Sequence, residues 1–572
     1  MNIVNKSFLY LSLLPASLYR KMGVSIPQLK AILQTKLVMD DRRPNSIHVT
    51  QRKKQEKPIR FASLGSMLFA ALLGCFLLVG FAIGKDDVTR LSIYYSMFIF
   101  ILTSVLISDF TSVLIDVRDN LIILPKPVND KTFVLARLLH IVIHVSKMVL
   151  PMTIPGMIAI TYMTGVRGFL PFLLMIPAIT LFTIFLINAL YIFVLKITTP
   201  EKFKNIISYF QISFAILLYA GYQLVPRLID KSVLTGYSIH SFKAAWALPP
   251  YWFAAGWQYV YSGDIVSVDV CYFLISLLVP LLCLWVVIRF FAPAFNQKLS
   301  MINGSEGSTL SEPAAGKAIN STTPTLFSRV AAAVTEKGAE RMGFLFTWKM
   351  TSRSRDFKLK VYPSIGYILV YLVLILLKDR KISLTAIRDQ SRTDSKFIFI
   401  TVIYFSSFVL ITALYQLMFS EKYKASWIYY ITPIDTPGRI LSGALKSMLV
   451  KFYFPLVAVS SCLAIGIVGP VIIPNLLLGL FNQLLISSFL AYISLTSLPF
   501  SMQQSMRNKS GNFIRTAVTM LIPFLLALMH YLVYNYILAV AVICILSAIA
   551  SWMMMDTLKN KSWAKMRVQE YE

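Results

Sequence analysis

SEKYKASWIYYITPIDTPGRILSGALK, residues Ser420 to Lys446, is a polar interval between two long apolar runs. An earlier interval, DVRDNLIILPKPVNDKTFVLARLL from Asp116 to Leu139, repeats its plan. With Pro127 set on Pro433, Ile122 falls on Ile428, Val128 on Ile434, Asn129 on Asp435, Val134 on Ile440 and Leu135 on Leu441. Each copy reads as a short apolar helix, a turn containing proline, an Asn or Asp at a helix start, and a helix that enters the next apolar run. The chemistry behind that order is general. Proline favours the turn, and Asn or Asp accepts hydrogen bonds from the free N–H groups of a first helical turn.

Outward from these intervals the chain is apolar. Of its 572 residues 57% are hydrophobic, with a mean hydropathy of +0.68. Soluble domains hold about 45–50%, so the excess implies an integral membrane protein. About twenty apolar residues cross a bilayer as a helix, and the chain offers about twelve such runs. They are continuous rather than alternating, which argues against a membrane barrel. The expected spans are 61–84, 91–115, 138–162, 170–195, 205–225 and 271–291, then 361–377, 397–419, 448–468, 472–495, 516–532 and 536–555. The fold class is therefore all-α: a polytopic membrane protein of about twelve transmembrane helices in two pseudo-repeated six-helix halves.

The formal net charge is +29. Basic residues between spans answer to orientation and to anionic headgroups, so membrane lipids rather than nucleic acid are the expected partners. Arg42, Arg43, Arg52, Lys53, Lys54, Lys57 and Arg60 precede the first span, and placing them in the cytosol puts both repeated intervals there too. Lys349, Arg353, Arg355, Lys358 and Lys360 follow, as do Lys559, Lys561, Lys565 and Arg567 of the tail. The connection with Lys378, Arg380, Lys381, Arg388, Arg392 and Lys396 runs against this scheme, with Asp379, Asp389 and Asp394 as partial offsets. Phe8 to Leu18 could pass for a signal-peptide core, but the basic stretch that follows favours an uncleaved segment on the membrane surface. The five cysteines, at 75, 271, 283, 462 and 544, lie in or at apolar runs, and none has a zinc spacing.

A linker divides the chain. Asn296 to Lys337 is rich in Gly, Ser, Thr, Pro and Ala without helical periodicity. Setting Lys36 on Lys349 aligns two basic amphipathic segments, each just ahead of the first span of a half. The expected organisation is 1–60 with a surface helix, 61–292 as the first half, 293–340 as linker, 341–360 as a second surface helix, 361–556 as the second half and 557–572 as tail. The external connection from Pro226 to Asp269 carries Trp246, Tyr251, Trp252, Trp257, Tyr259 and Tyr261. Those residue types prefer the interface, so short helices half sunk in the outer leaflet are expected there.

Chemistry is sparse. Gly84-Lys85 and Gly316-Lys317 lack the spacing of a phosphate loop, and Leu441-Ser442-Gly443 sits at a membrane entry rather than in an ATPase domain. No metal, cofactor or catalytic site is expected. Asp109, Asp116 and Asp119 lack the matching second acidic cluster that a prenyltransferase needs. Arg137, His140, His144 and Lys147 share one face of span three. Ionisable groups at such depth face the bundle interior and pair, and Asp109 on the preceding span is the expected partner of His140, His144 and Lys147.

These residues resemble the type 2 permease subunits of ATP-binding-cassette exporters. The likeness rests on the surface segments around Gln34–Arg43 and Phe346–Asp356 and on the intervals Asp116–Leu139 and Ser420–Lys446. Ser420-Glu421 followed by TPIDTPGRILSGALK is its most specific piece. It implies a six-span unit with a surface elbow helix and a cytosolic coupling hairpin between spans two and three. It also implies a separate ATPase subunit, which binds the ATP and docks on the hairpins through Asp119, Asn129, Asp130, Glu421, Asp435 and Arg439. The chain would then be a transport subunit in the plasma (bacterial inner) membrane, with both termini cytosolic, moving an amphiphilic lipid, peptide or drug outward. Two units in one chain depart from the usual single unit. One chain with two ATPases and a homodimer both fit. An ion-coupled secondary transporter is the alternative, with Pro151 and Pro155 in span three as its only sign.

Overall fold

The computed structural model describes residues 3–42, 62–113, 126–198, 200–228, 235–242, 244–263, 267–291, 326–377, 393–420, 422–503 and 512–566. Over these the regular elements are helical, and the only strand-like pairing is an isolated bridge between Phe419 and Met502. Nine of the described helices are long and apolar enough to cross a membrane. Two shorter ones, Val270–Val286 and Leu521–Val533, are apolar as well. The chain is a helical, multi-pass membrane protein.

The residues pack into two compact units. The first comprises the described parts of Met1–Val49, Glu56–Ile207 and Ile229–Pro313, the second those of Ser208–Leu228 and Ala314–Glu572. The sequence reading put the run at 205–225 with the first half. Its side chains explain the actual membership. Ile216 lies where a Cβ on Gly366 would fall, Tyr219 packs on Tyr367 with centroids 4.7 Å apart, and Arg355 Nε donates to Ser208 Oγ at 2.9 Å.

In the first unit, α1 (Ile3–Leu13), α2 (Ala16–Lys21) and α3 (Ile26–Arg42) precede the first apolar helix, α4 (Ala62–Leu77). Leu29, Leu33 and Leu37, four residues apart on one face of α3, are wholly buried against Leu9, Tyr19, Val24, Ala136 and Ile143. Helix α5 (Asp87–Val113) buries Tyr94, Tyr95 and Phe98, with Phe172 against both tyrosines. Next comes α6, Asp130–Ile197, 68 residues long. At 1.5 Å per residue such a helix would be about 100 Å long, far beyond the ~30 Å of a bilayer core. It is two helices that meet at Gly165, whose φ of 68° and ψ of −165° leave the helical region. Positive φ is cheap only without a Cβ.

Helix α7 (Pro200–Leu228) starts among the residues of the first unit and, from Ser208 on, belongs to the second. The connection after it does hold short helices, at Ile239–Ser241, Ala245–Ala247 and α8 (Pro249–Ser262), before α9 (Ser267–Val286). Its aromatics are not all at an interface, however. Trp257 is fully buried, donates from Nε1 to Gly168 O at 2.8 Å and stacks on Tyr261. The buried ring has its N–H satisfied and so belongs to the core. Trp246 remains exposed.

The second unit continues with α10 (Leu326–Val334), α11 (Ala339–Arg353), α12 (Arg355–Leu377), α13 (Thr393–Phe405) and α14 (Ser407–Leu417). The turn of helix α15 (Ile428–Ile431) leads into α16 (Pro437–Met448), then α17 (Phe454–Val468), α18 (Ile473–Ser494), α19 (Asn512–Val533) and α20 (Ile537–Lys559). Its core joins Phe357, Val409, Leu414, Leu441, Leu445, Tyr453, Leu490 and Leu558 in one cluster.

Candidate functional site

Between α14 and α16 the chain forms a knuckle whose outer side is open and whose inner side is bolted down. Trp427, Ile428 and Ile431 are 53%, 55% and 66% exposed, and Pro433, Asp435 and Arg439 are exposed beside them. No protein side chain of the described residues covers these large apolar groups. Beneath them Tyr429 is buried and donates from its hydroxyl to Pro499 O at 3.3 Å. Trp563 Nε1 donates to Ile434 O at 2.8 Å, and Gly438 N to Lys561 O at 3.1 Å. Gly438 needs its missing Cβ, which would fall 2.3 Å from Leu558 O. The strand-like bridge fixes the other end: Ser420 N donates to Met502 O and Phe500 N to Leu417 O. Phe500 holds a φ of 58°, a conformation costing a non-glycine residue about 1–2 kcal/mol. Its ring packs edge-on against Phe346, which offsets that cost.

The knuckle continues into a joint between α11 and α16. Gly343 meets the backbone of Ile440, and a Cβ on Gly443 would fall 1.9 Å from Glu340 O. Small residues let two helices approach this closely, so the Ser442-Gly443 pair is a packing device. Glu340, 1% exposed, occupies the contact. Its Oε1 accepts from Lys446 Nζ and from Ser442 Oγ, both at 2.8 Å, and its Oε2 from Glu336 N at 2.8 Å. Burial works to raise its pKa, but the bonds from Lys446, Glu336 N and Ser442 prevail and hold it below the ordinary carboxylate value. Lys446 also donates to Val334 O, and Lys559 pairs with Glu336.

The first unit makes a joint of the same layout between α3 and the start of α6. Asn129 caps α6, accepting from Lys131 N at 3.0 Å and donating to Gly23 O at 2.8 Å. Ser25 N donates to Thr132 Oγ1, and Gln28 Nε2 to Pro127 O. Farther along, His140 Nε2 lies 2.8 Å from Asp40 Oδ2. Burial would raise the pKa of Asp40; the His140 bond, with the charges of His140, His144 and Lys147, lowers it instead.

The residues expected from sequence are distributed as follows. Asn129 is the cap foreseen. Asp435, its counterpart, is not: α16 starts at Pro437 with Thr436 in the cap position and no side-chain cap bond. A proline at the first helical position has no N–H to satisfy, which moves the start along. Asp130 opens α6, but its side chain, like that of Asp109, lies outside the described residues, as do Asp119 and Glu421 entirely. The carboxylate on His140 Nε2 is that of Asp40. His140 and Lys147 are buried. Glu340, Asp40 and the exposed Trp427 and Ile431 were not singled out. Two lie inside the quoted interval, and Glu340 sits in the first turn of α11, four residues after Glu336 of the preceding connection. Among the described residues no three His, Cys, Asp or Glu side chains gather as a metal site.

No protein-family model matches the chain, and no curated protein and no solved structure is similar to it.

Proposed function

We propose that the chain is the membrane subunit of an ATP-binding-cassette exporter, moving an amphiphilic lipid, peptide or drug-like substrate outward. A separate ATPase docks on the knuckle at 422–439 and on its counterpart before Asn129. In this reading the two arms of α6 on either side of Gly165 count as two spans. With the shorter apolar helices, that gives twelve spans, six ahead of the 293–340 linker and six after it, the fifth of them (α7) packing with the second unit, and both termini are cytosolic in the plasma membrane. The observation that carries it is the exposed apolar knuckle on a rigid mount. A motor can only move a bundle through a part that does not yield, and each joint ties a surface helix to the helix leaving the turn.

The test is first whether a stand-alone ATPase is encoded beside this chain, and then co-expression of the two, followed by purification in detergent. ATPase should co-purify with the wild type. Trp427→Ala with Ile431→Ala should cut that recovery by about tenfold, as expected when two central anchors are lost, while the chain still inserts. Asp435→Ala with Arg439→Ala should lower transport-coupled ATP use. An ATPase that never associates, or one that binds the double variant as well as the wild type, would sink the reading.

A further inference from the structure

At the end of α18 opposite the knuckle, the second unit holds a cleft of about 360 Å³. Val471, Ile472, Pro474, Ile537 and Val540 give it apolar walls, and Tyr534, Asn475 and Asn535 complete the lining. A buried chain of polar side chains starts at its floor. Asn475 Nδ2 donates to Tyr534 O, and Asn475 Oδ1 lies 3.2 Å from His530 Nε2. His530 Nδ1 lies 3.2 Å from Tyr404 Oη, Asn482 Nδ2 donates to Tyr404 Oη at 2.6 Å, and Ser547 Oγ donates to Asn482 Oδ1 at 2.6 Å. Four helices contribute: α13, α18, α19 and α20. The His530 ring sits between Tyr404, edge-on, and Tyr534, stacked.

One arrangement of protons satisfies the whole chain. Asn475 gives its N–H to Tyr534 O, so its Oδ1 must accept, and His530 carries its proton on Nε2. His530 Nδ1 is then free to accept from the Tyr404 hydroxyl, whose oxygen accepts from Asn482. The groups facing the imidazole, Tyr404, Asn475 and Tyr534, are all uncharged, and no carboxylate lies among the cleft's lining residues. An imidazolium here would leave the Tyr404 proton without His530 as its acceptor and bury a charge with no counter-ion among the facing groups. The chain is a fixed, neutral set of dipoles, oriented by four helices and ending at Asn475.

We propose that this cleft binds an amphiphile with an uncharged, hydroxyl-bearing head, which exchanges hydrogen bonds with Asn475 and Asn535 while its tail lies on Val471, Ile537 and Val540. The size is within the range of ligand pockets, and apolar walls with a few convergent polar groups are what such pockets present. A neutral head follows from the described lining, because a carboxylate or ammonium would meet no charged side chain among those residues. The proposal stands apart from the ATPase reading, since binding here needs no motor.

The test uses the full chain in phosphatidylcholine nanodiscs with a diazirine-bearing monoacylglycerol, irradiation, and mapping of labelled peptides by mass spectrometry. Label should concentrate on 471–475 and 534–540 and be competed by unlabelled monooleoylglycerol. Ile537→Trp, which narrows the mouth without touching the polar chain, should reduce it by about fivefold or more. Asn475→Leu should do the same; if that variant fails to fold, Ile537→Trp decides. Diazirine-bearing oleate and oleylamine should label these peptides at least about fivefold less. Label spread evenly along lipid-facing helices, label indifferent to Ile537→Trp, or equal label from the charged probes would each overturn the proposal.

Discussion

The two joints share a layout and differ in chemistry. In the first unit α3 is tied to α6 by amide and hydroxyl bonds at the turn and by the Asp40–His140 pair farther on. In the second, α11 meets α16 at backbone distance through Gly343 and Gly443, with a buried carboxylate on an ammonium between them. The lesson is that one architecture tolerates two ways of holding a surface helix. Neutral bonds at an exposed turn yield easily, whereas a close glycine contact around a buried ion pair does not. The second joint is thus the stiffer of the two, and it carries the exposed knuckle.

The sharpest way to break the contrast is Gly443→Leu. Its side chain has no room beside Glu340 O, and the overpacking should cost about 3 kcal/mol or more. Size-exclusion profiles of a fluorescent fusion should show little folded protein. Glu340→Gln comes next. Loss of the ionised acceptor for Lys446 should cost about 2 kcal/mol in detergent unfolding, and Asp40→Asn, where the carboxylate is itself partly open to solvent, about 1 kcal/mol. Equal losses would erase the distinction between the joints.

Acid probes the same pairs. Both carboxylates have lowered pKa values, from 3.8 for Asp40 and 4.5 for Glu340. Their contribution is complete above those ordinary values and is lost as pH falls through the lower folded ones. Thermal stability should therefore decline below about pH 4.5, and less steeply in Glu340→Gln. A comparable effect, about 1 kcal/mol, is expected of Asn129→Ala for a lost cap. Thr436→Ala should change little, since no cap bond is made there.

Much of this architecture was legible in the chain. Unbroken apolar runs require helices in a bilayer, because the backbone must satisfy its own hydrogen bonds there. The two turns with proline and Asn or Asp announced helices starting after them, and Asn129 does cap one. Gly165 falls in the gap left between the expected spans at 138–162 and 170–195. The joints were less legible. Asp40 and Glu340 look like ordinary charges of basic surface segments, and nothing local says that they meet His140 and Lys446, each about a hundred residues away.

By itself the sequence determined the class, the helical periodicity and the position of the polar intervals, since these depend on residue type and near neighbours. Only the tertiary structure decided who meets whom. It placed Ser208–Leu228 with the second unit, buried Trp257 rather than floating it, set Glu340 on Lys446, and aligned His530 between two tyrosines. Those outcomes turn on the fit between surfaces far apart in the chain, where a missing Cβ or a single proton donor selects the partner.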